Sequence, residues 1–343
     1  MANLSRFLRY NLIVKGEIRN NLVHLSGKKE IAIEKDEVIA CVIVKNGENH
    51  MNAFVEYHLQ KGIKHIILVD NGSTDSTIEL AQRFDEVSVY TTDLSYRKYE
   101  HFLRRYMEDV YGKESWFITL DIDERFDYPN SSEVSLKQFI NYLDQNKQTA
   151  VVSYMLDLFS IEEISKWPYD GFDIEEKCIW YKNDDVEVFD HPLYRNISIS
   201  DNNIKRYMGG IRKTVFNVLP DITKVPLKNT RLGAKVKINS AHYAEGCKIA
   251  DVSGLLLHYK FDSVFRERHS DVLLDVEKYN YSNEYLAYVN AVDGTEDFKM
   301  NVDSPKQFQD TDQLLEEKFL YASHAYQTYC ENIVQRKSEL ANI

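Results

Sequence analysis

Apolar and polar positions alternate in blocks along the first half of the chain. Residues 38–46 (VIACVIVKN) form a short β-branched apolar run, and residues 49–61 then place apolar side chains on one helical face. The same order repeats, with strand patterns at residues 65–70, 87–90 and 116–123. Strands and helices that alternate at this spacing predict βαβ units, and therefore a mainly parallel sheet with helices on its faces.

Polar residues follow three of these strands at the point where each strand ends. They are Lys45 and Asn46, residues 70–75, and residues 121–124. In parallel sheets, ligands bind beyond the carboxyl ends of the strands. The pattern therefore predicts a ligand site at one edge of the sheet.

The alternation weakens after residue 150, and the sequence divides into three parts. We expect a basic N-terminal segment over residues 1–35, a main α/β domain over 36–262 and a helical C-terminal region over 263–343. The C-terminal helices have three interpretations: they cap the site, mediate homo-oligomerisation or contact a membrane.

The N-terminal segment has two open interpretations. Its basic residues, interleaved with Phe7, Leu8, Leu12 and Ile13, suit a peripheral position on an anionic membrane surface. The same residues suit a helix or hairpin that packs on the main domain.

Charge and cysteine usage exclude several classes of protein. A net charge of −12 argues against a nucleic-acid partner, because such proteins concentrate positive charge. The four cysteines are widely spaced, which indicates neither a zinc site nor a disulfide framework. No apolar run suits a signal peptide or a membrane span, so we expect a cytoplasmic protein, with the inner membrane face as a peripheral location.

Asp121-Ile122-Asp123 follows the fourth strand directly. In extended chain the two carboxylates point the same way, so both can approach one cation, or one cation and a ribose. Mn²⁺ or Mg²⁺ held there would neutralise a diphosphate leaving group. The turn after the second strand begins with Asp70 and is either an ordinary turn with a helix cap or a nucleotide-binding loop.

An ordered series of motifs over residues 38–265 resembles the family 2-type glycosyltransferases of the GT-A fold. The series resembles in particular a bacterial branch with the pattern DNGS.D.T followed by DxDE. The segments that carry the resemblance are VIVKNGENHMNAFVEYHLQKGIKHIILVDNGSTDST, WFITLDIDER, SYMLDLFS, YMGGIRKTVF, TKVPL, NSAHY and LLLHYKF. The chain departs from the branch at Asn46-Gly47-Glu48, where the usual pair is Asn-Glu.

The resemblance implies an α/β fold of GT-A type, a nucleotide-sugar donor and inversion at the anomeric carbon. UDP is the expected nucleotide, and the acceptor is a saccharide or a lipid-linked saccharide. By the same resemblance, Asn46, Glu48 and Asp70 surround the base and ribose, Asp121 lies near the ribose and metal, and Asp123 and His258 bind the metal. A buried histidine that bonds a backbone carbonyl is the alternative for His258.

Three further residues suit phosphate or acceptor binding. Arg212 follows two glycines and can clamp two phosphate oxygens at once. Lys224 in TKVPL and His242 in NSAHY are similar candidates. A solvated basic turn is the alternative for Arg212.

An inverting transfer needs a base that deprotonates the acceptor hydroxyl. Asp157 is the first candidate, because it interrupts an apolar strand where an unpaired carboxylate would be costly. Asp185 and Asp190, with Glu187 between them, are rival candidates.

Two other functions stay open. Sugar nucleotidyltransferases use a similar sheet but open with a glycine-rich loop, whereas VKNGENH at residues 44–50 has one glycine. A non-catalytic glycan-binding or scaffold protein of GT-A fold is the other alternative.

Overall fold

The structure is a computed structural model that describes residues 8–192, 196–237, 240–268, 283–295 and 297–341. Arg6 and Phe7 of the predicted basic segment lie outside the described residues, as do residues 269–282 of the predicted helical region.

Seventeen strands are present in the described residues: β1 Val23–Ser26, β2 Val38–Val44, β3 His65–Asp70, β4 Val87–Thr91, β5 Trp116–Leu120, β6 Glu124–Asp127, β7 Ala150–Asp157, β8 Trp180–Tyr181, β9 Val186–Asp190, β10 Ile197–Ile199, β11 Lys205–Gly209, β12 Thr223–Asn229, β13 Lys235–Lys237, β14 Ser240–Glu245, β15 Cys247–Ile249, β16 Gly254–His258 and β17 Lys306–Gln307.

The α-helices of the described residues are α1 Lys15–Asn21, α2 Glu48–Gln60, α3 Thr77–Ala81, α4 Tyr96–Tyr111, α5 Leu136–Gln145, α6 Gly171–Lys177, α7 Ile211–Phe216, α8 Asn283–Val292, α9 Thr311–Glu316 and α10 His324–Ala341. One π-helical turn, Tyr10–Val14, leads into α1.

One large sheet organises these elements, and its strand order is β1-β4-β3-β2-β5-β12-β7-β15-β10. β4, β3, β2 and β5 run parallel, whereas β12 runs antiparallel to both of its neighbours, β5 and β7. β16 lies parallel to β7 and antiparallel to β6. The predicted α/β fold class is confirmed: a mainly parallel sheet is flanked by helices and followed by a helical C-terminal extension.

The central strands read as continuous apolar runs because helices cover both faces of the sheet. In β2, Val38 and Val42 join a core that includes side chains of α2, α5 and α10. Ile39 and Ile43 point to the opposite face, where they join a core with α4 and the N-terminal helix. Every residue of β2 is buried.

The N-terminal segment packs on the domain, as one of its two interpretations predicted. Tyr10, Val14 and Ile18 are buried, and β1 pairs with β4 at the edge of the sheet. Leu12 and Ile13 remain 79% and 55% exposed.

The C-terminal helices pack in two places. α10 buries Tyr326 and Cys330 against the first core. α8 buries Tyr288 edge to face against Phe216 of α7, with ring centroids 4.8 Å apart. Among the described helices, none is long and apolar enough to cross a membrane.

Candidate active site

Several predicted site residues converge at one edge of the sheet. β5 and β7 end there at Leu120 and Asp157, and the antiparallel β12 begins there with Thr223 and Lys224. His258 is the last residue of β16 and pairs in register with Asp157. Residues that are 137 positions apart in the chain thus meet because parallel strands end at a common edge.

Asp121-Ile122-Asp123 lies in a turn, not in the extended chain that the sequence predicted. The Glu124 amide donates to the Asp121 carbonyl at 3.1 Å, and the Asp121 amide donates to the Glu124 carboxylate at 3.0 Å. The turn joins β5 to β6 and directs the two aspartate carboxylates to different partners.

Asp121 is held between two cations. Arg104 of α4 donates to one carboxylate oxygen at 2.7 Å, and Lys224 contacts the other at 2.6 Å. Lys224 also pairs with the buried Glu124. Burial raises the pKa of Asp121, but Lys224 and Arg104 lower it by a larger amount, so the pKa of Asp121 lies well below its ordinary value.

His258 lies between two carboxylates. Its Nε2 is 3.5 Å from an Asp123 oxygen, and its Nδ1 is 2.5 Å from an Asp157 oxygen. Burial lowers the pKa of His258, but Asp123 and Asp157 raise it to about 9. Without a bound cation, this histidine is therefore an imidazolium at neutral pH.

Asp157 also pairs with Arg212, whose Nε donates to its second oxygen at 2.8 Å. Arg212 Nη1 donates in turn to Glu284 of α8 at 3.0 Å. Burial raises the pKa of Asp157, but Arg212 and His258 bring it down to about 2. A chain of alternating charges thus runs from Asp123 through His258, Asp157 and Arg212 to Glu284.

A second buried network centres on Asp262, which follows β16. One of its oxygens accepts from Asn49 at 2.8 Å, lies 3.0 Å from His50 Nε2 and pairs with Arg268 at 2.5 Å. Burial raises the pKa of Asp123, but His258, His50 and Arg268 lower it well below its ordinary value. The contacts of Asn49 and His50 with Asp262 hold the N-terminal turn of α2 against the segment that follows His258.

The predicted nucleotide residues lie where β2 and β3 end: Asn46 in the loop after β2, Glu48 at the start of α2 and Asp70 at the end of β3. Hydrogen bonds join the segment after β2 to the segment after β3. The Asn46 side chain accepts from the Thr74 amide at 2.8 Å, and Glu48 accepts from the Ser76 amide at 2.8 Å. Asp70 accepts from the amides of its own loop, with Gly72 at 3.0 Å.

The remaining candidates differ in position. His242 Nδ1 lies 2.9 Å from the Thr223 carbonyl, and burial together with Lys224 lowers its pKa to about 4, so the ring is neutral. Asp185 bonds the Thr214 hydroxyl of α7, and its carbonyl accepts from the Gly210 amide at 3.1 Å. Asp190 is an exposed residue of β9.

A divalent cation beside Asp123 would have two protein ligands, Asp123 and His258, and would need substrate and water to complete its coordination shell. One carboxylate and one imidazole converge there, and Asp157 orients the far side of the ring, as carboxylates commonly do for metal-binding histidines. In the described residues, no group of three or more His, Cys, Asp or Glu residues is arranged to hold a metal ion. Mg²⁺ and Mn²⁺ sites of this kind draw further ligands from substrate phosphates and water.

Four residues that border the site were not predicted from the sequence. Arg104 and Glu284 come from helices outside the motif series, so no local signal marks them. Asp262 and Lys260 follow His258 by four and two positions, and proximity to the LLLHYKF segment was the available signal.

Comparisons with known proteins add little to this geometry. No family model and no curated protein matches the chain. A similar solved structure is the mannosyltransferase PcManGT from Pyrobaculum calidifontis in complex with GDP-Man and Mn²⁺. It is 14% identical, with a TM-score of 0.27, and the match covers 48% of this chain and 47% of that one. The chain therefore spans about half the length of that mannosyltransferase.

Another similar structure is the inositol-1-phosphate CTP transferase from T. maritima. It is 10% identical, with a TM-score of 0.25, and the match covers 88% of this chain and 98% of that one. At these TM-scores neither comparison carries weight, and the fold rests on the strand order itself.

Proposed function

We propose that the protein is a metal-dependent glycosyltransferase that moves a sugar from a nucleotide diphosphate sugar, most simply a UDP-sugar, to a saccharide acceptor. The acceptor belongs to bacterial surface glycan synthesis and is free or lipid-linked. The main support is the convergence of Asp121, Asp123, His258 and Lys224 at the carboxyl edge of the sheet. The second support is the resemblance of the motif series over residues 38–265 to family 2-type glycosyltransferases, which is why we assign sugar transfer to this edge.

In this proposal Asp123 and His258 hold Mn²⁺ or Mg²⁺, which supplies charge neutralisation for the departing diphosphate. Asp157 fixes the His258 ring, since its two oxygens are occupied by His258 and Arg212. The loops that carry Asn46 and Asp70 receive the base and ribose.

Among the candidate bases, we infer that Asp185 accepts the proton of the acceptor hydroxyl. Asp157 is neutralised by two cationic partners, and Asp190 is paired with Lys205 at 2.8 Å on an exposed strand. Asp185 is partly buried, and its carbonyl accepts from the amide of Gly210, two residues before Arg212. Asp185→Asn should lower kcat by at least a hundredfold with little change in donor affinity, whereas Asp190→Asn should retain activity.

We propose a cytoplasmic location at the inner face of the membrane, with the N-terminal helix as the contact. Its exposed Leu12 and Ile13 lie beside exposed Arg9 and Arg19, which suits an anionic surface. Co-sedimentation with anionic vesicles, but not with neutral ones, would support this location. Equal binding to both would contradict it.

Calorimetric titration with UDP, GDP, CDP and dTDP, with and without Mn²⁺, tests the central proposal. One nucleotide should bind in a metal-dependent manner, and Asp123→Asn should abolish the metal dependence. Transfer from the matching donor, followed by proton NMR of the product anomer, tests inversion. If no nucleotide binds, the proposal is wrong; if a nucleoside triphosphate is consumed with release of pyrophosphate, the protein is a nucleotidyltransferase.

A further inference from the structure

The arginine and lysine side chains that border the site, including Arg212 and Lys224, are already paired. Each of the following has a carboxylate partner: Arg104 with Asp121, Lys224 with Asp121 and Glu124, Arg212 with Asp157 and Glu284, and Arg268 with Asp262. His258 likewise lies between two aspartates. A diphosphate at this edge therefore needs a cation that the protein has not already neutralised.

Lys260 is such a cation. Its Nζ lies over the rings of Tyr285 and Tyr288 of α8, 5.8 Å and 5.3 Å from their centroids. Within the part of the chain that the structure describes, the Lys260 ammonium contacts these two rings and makes no hydrogen bond or ion pair with a carboxylate. The charged groups that interact electrostatically with Lys260 are Glu284, Arg212, Asp123 and Arg268.

The position of Lys260 follows from the strand before it. β16 ends at His258, and Lys260 follows two residues later, close enough to Asp123 for the two charges to interact. The Tyr259 amide donates to the Asp123 carbonyl at 2.8 Å, which keeps this segment beside the β5–β6 turn. Lys260 thus lies near the proposed metal site, just beyond the end of β16.

Lys260 is partly buried and has no paired carboxylate within the described residues, and contact with two tyrosine rings offsets only part of the cost of burying its ammonium. Such a group is a receptor for an anionic ligand. The nucleoside would lie over β2 and β3, and β5, β12 and β7 separate β16 from these strands, so the distal phosphate is the group that would come nearest to Lys260.

We propose that Lys260 binds the distal phosphate of the donor's diphosphate and stabilises the nucleotide as it leaves. This role rests on the proposed nucleotide-sugar function. Lys260 is then a binding residue for the leaving group, and the two tyrosines of α8 hold its side chain in position.

The test compares UDP with UMP, each titrated with Mn²⁺ into wild type, Lys260→Met and Lys260→Arg. Lys15→Met is the matched control, because Lys15 also stacks on a tyrosine, Tyr10, 5.9 Å away. Lys15 pairs with Asp109 near the end of α4, at the amino edge of the sheet. GDP with GMP, or CDP with CMP, replaces the UDP pair if wild type prefers another base.

We expect Lys260→Met to weaken UDP binding about tenfold or more, the effect of a lost charge-assisted hydrogen bond. UMP binding should change less than about twofold, Lys260→Arg should retain most UDP affinity, and Lys15→Met should behave as wild type. The melting temperature of Lys260→Met should equal or exceed that of wild type, because no protein ion pair is lost.

Three results would overturn the role of Lys260: unchanged UDP affinity in Lys260→Met, an equal loss for UDP and UMP, or a fall in melting temperature that accounts for weaker binding. Wild-type binding is measured first. If wild type binds no nucleoside diphosphate, the proposed function fails and this inference fails with it; if wild type binds and Lys260→Met binds equally well, only the inference fails.

Discussion

Replacement of Asp157 by asparagine tests whether the chain of alternating charges from Asp123 to Glu284 stabilises the fold. Asp157 is 5% exposed, and its two oxygens meet Arg212 at 2.8 Å and His258 at 2.5 Å. Asparagine offers one acceptor oxygen where two donors converge, so its amide group must face a cation. Removal of one member of a buried ion pair costs about 3–5 kcal/mol, because the partner charge stays buried.

The pKa of Asp157 gives a second route to the magnitude. A fall from 3.8 to about 2 corresponds to roughly 2 kcal/mol that favours the folded state. Because the folded-state pKa is depressed, this contribution is present above pH 3.8 and is lost as pH falls towards 2. The shift compares the ionised with the protonated acid, so the full loss in Asp157→Asn should be larger.

Urea unfolding followed by circular dichroism at pH 7 measures this loss. Asp157→Asn should lower the free energy of unfolding by about 3–5 kcal/mol. Asp190→Asn is the matched control: its carboxylate pairs with Lys205 on an exposed strand, so its unfolding midpoint should not move. A wild-type midpoint for Asp157→Asn would refute a structural role and return Asp157 to the candidate bases.

Three further predictions concern the fold. His58 Nε2 accepts from the Phe126 amide at 3.2 Å, and burial lowers its pKa from 6.5 to about 3. The free energy of unfolding should therefore fall as pH drops from 6.5 towards 3, by up to about 1.4 kcal/mol per pH unit from this group. In urea titrations between pH 7 and pH 5, the free energy of unfolding of His58→Gln should fall less steeply with pH than that of wild type. Equal slopes for the two proteins would contradict this prediction. Gly254→Ala would bring a methyl group within 2.5 Å of the Ser153 hydroxyl, so we expect a loss of about 1–3 kcal/mol on thermal or urea unfolding. Gly16 of α1 has open space around it, and Gly16→Ala should stabilise the protein by about 0.5–1 kcal/mol; destabilisation there would show that the helix does not form as described.

The first strands of the sheet and its mainly parallel character were largely predictable. β2, β3 and β5 are short apolar runs followed by polar residues, and this local pattern survives because helices cover both faces of the sheet. The carboxyl edge as the site of convergence followed from the same pattern.

The charge pairing within the site was not predictable. Arg212 and Lys224 were expected to be available for phosphate, yet each is bound to carboxylates from distant segments. Asp121 and Asp123 were expected to point together, but a hydrogen bond from Glu124 closes a turn between them. Such contacts depend on which strands become neighbours, and no local periodicity encodes that.

The sequence by itself determined the alternation of strands and helices, the acidic segment after β5 and the ordered motifs, because these depend on residues close together in the chain. Only the tertiary structure decided which charges are neutralised. Asp157 and His258 are 101 positions apart and meet only because β7 and β16 run parallel in register. The same pairing sets Lys260 beside the proposed metal site while its neighbouring cations are occupied, since electrostatic partnership depends on distance in space and not on separation along the chain.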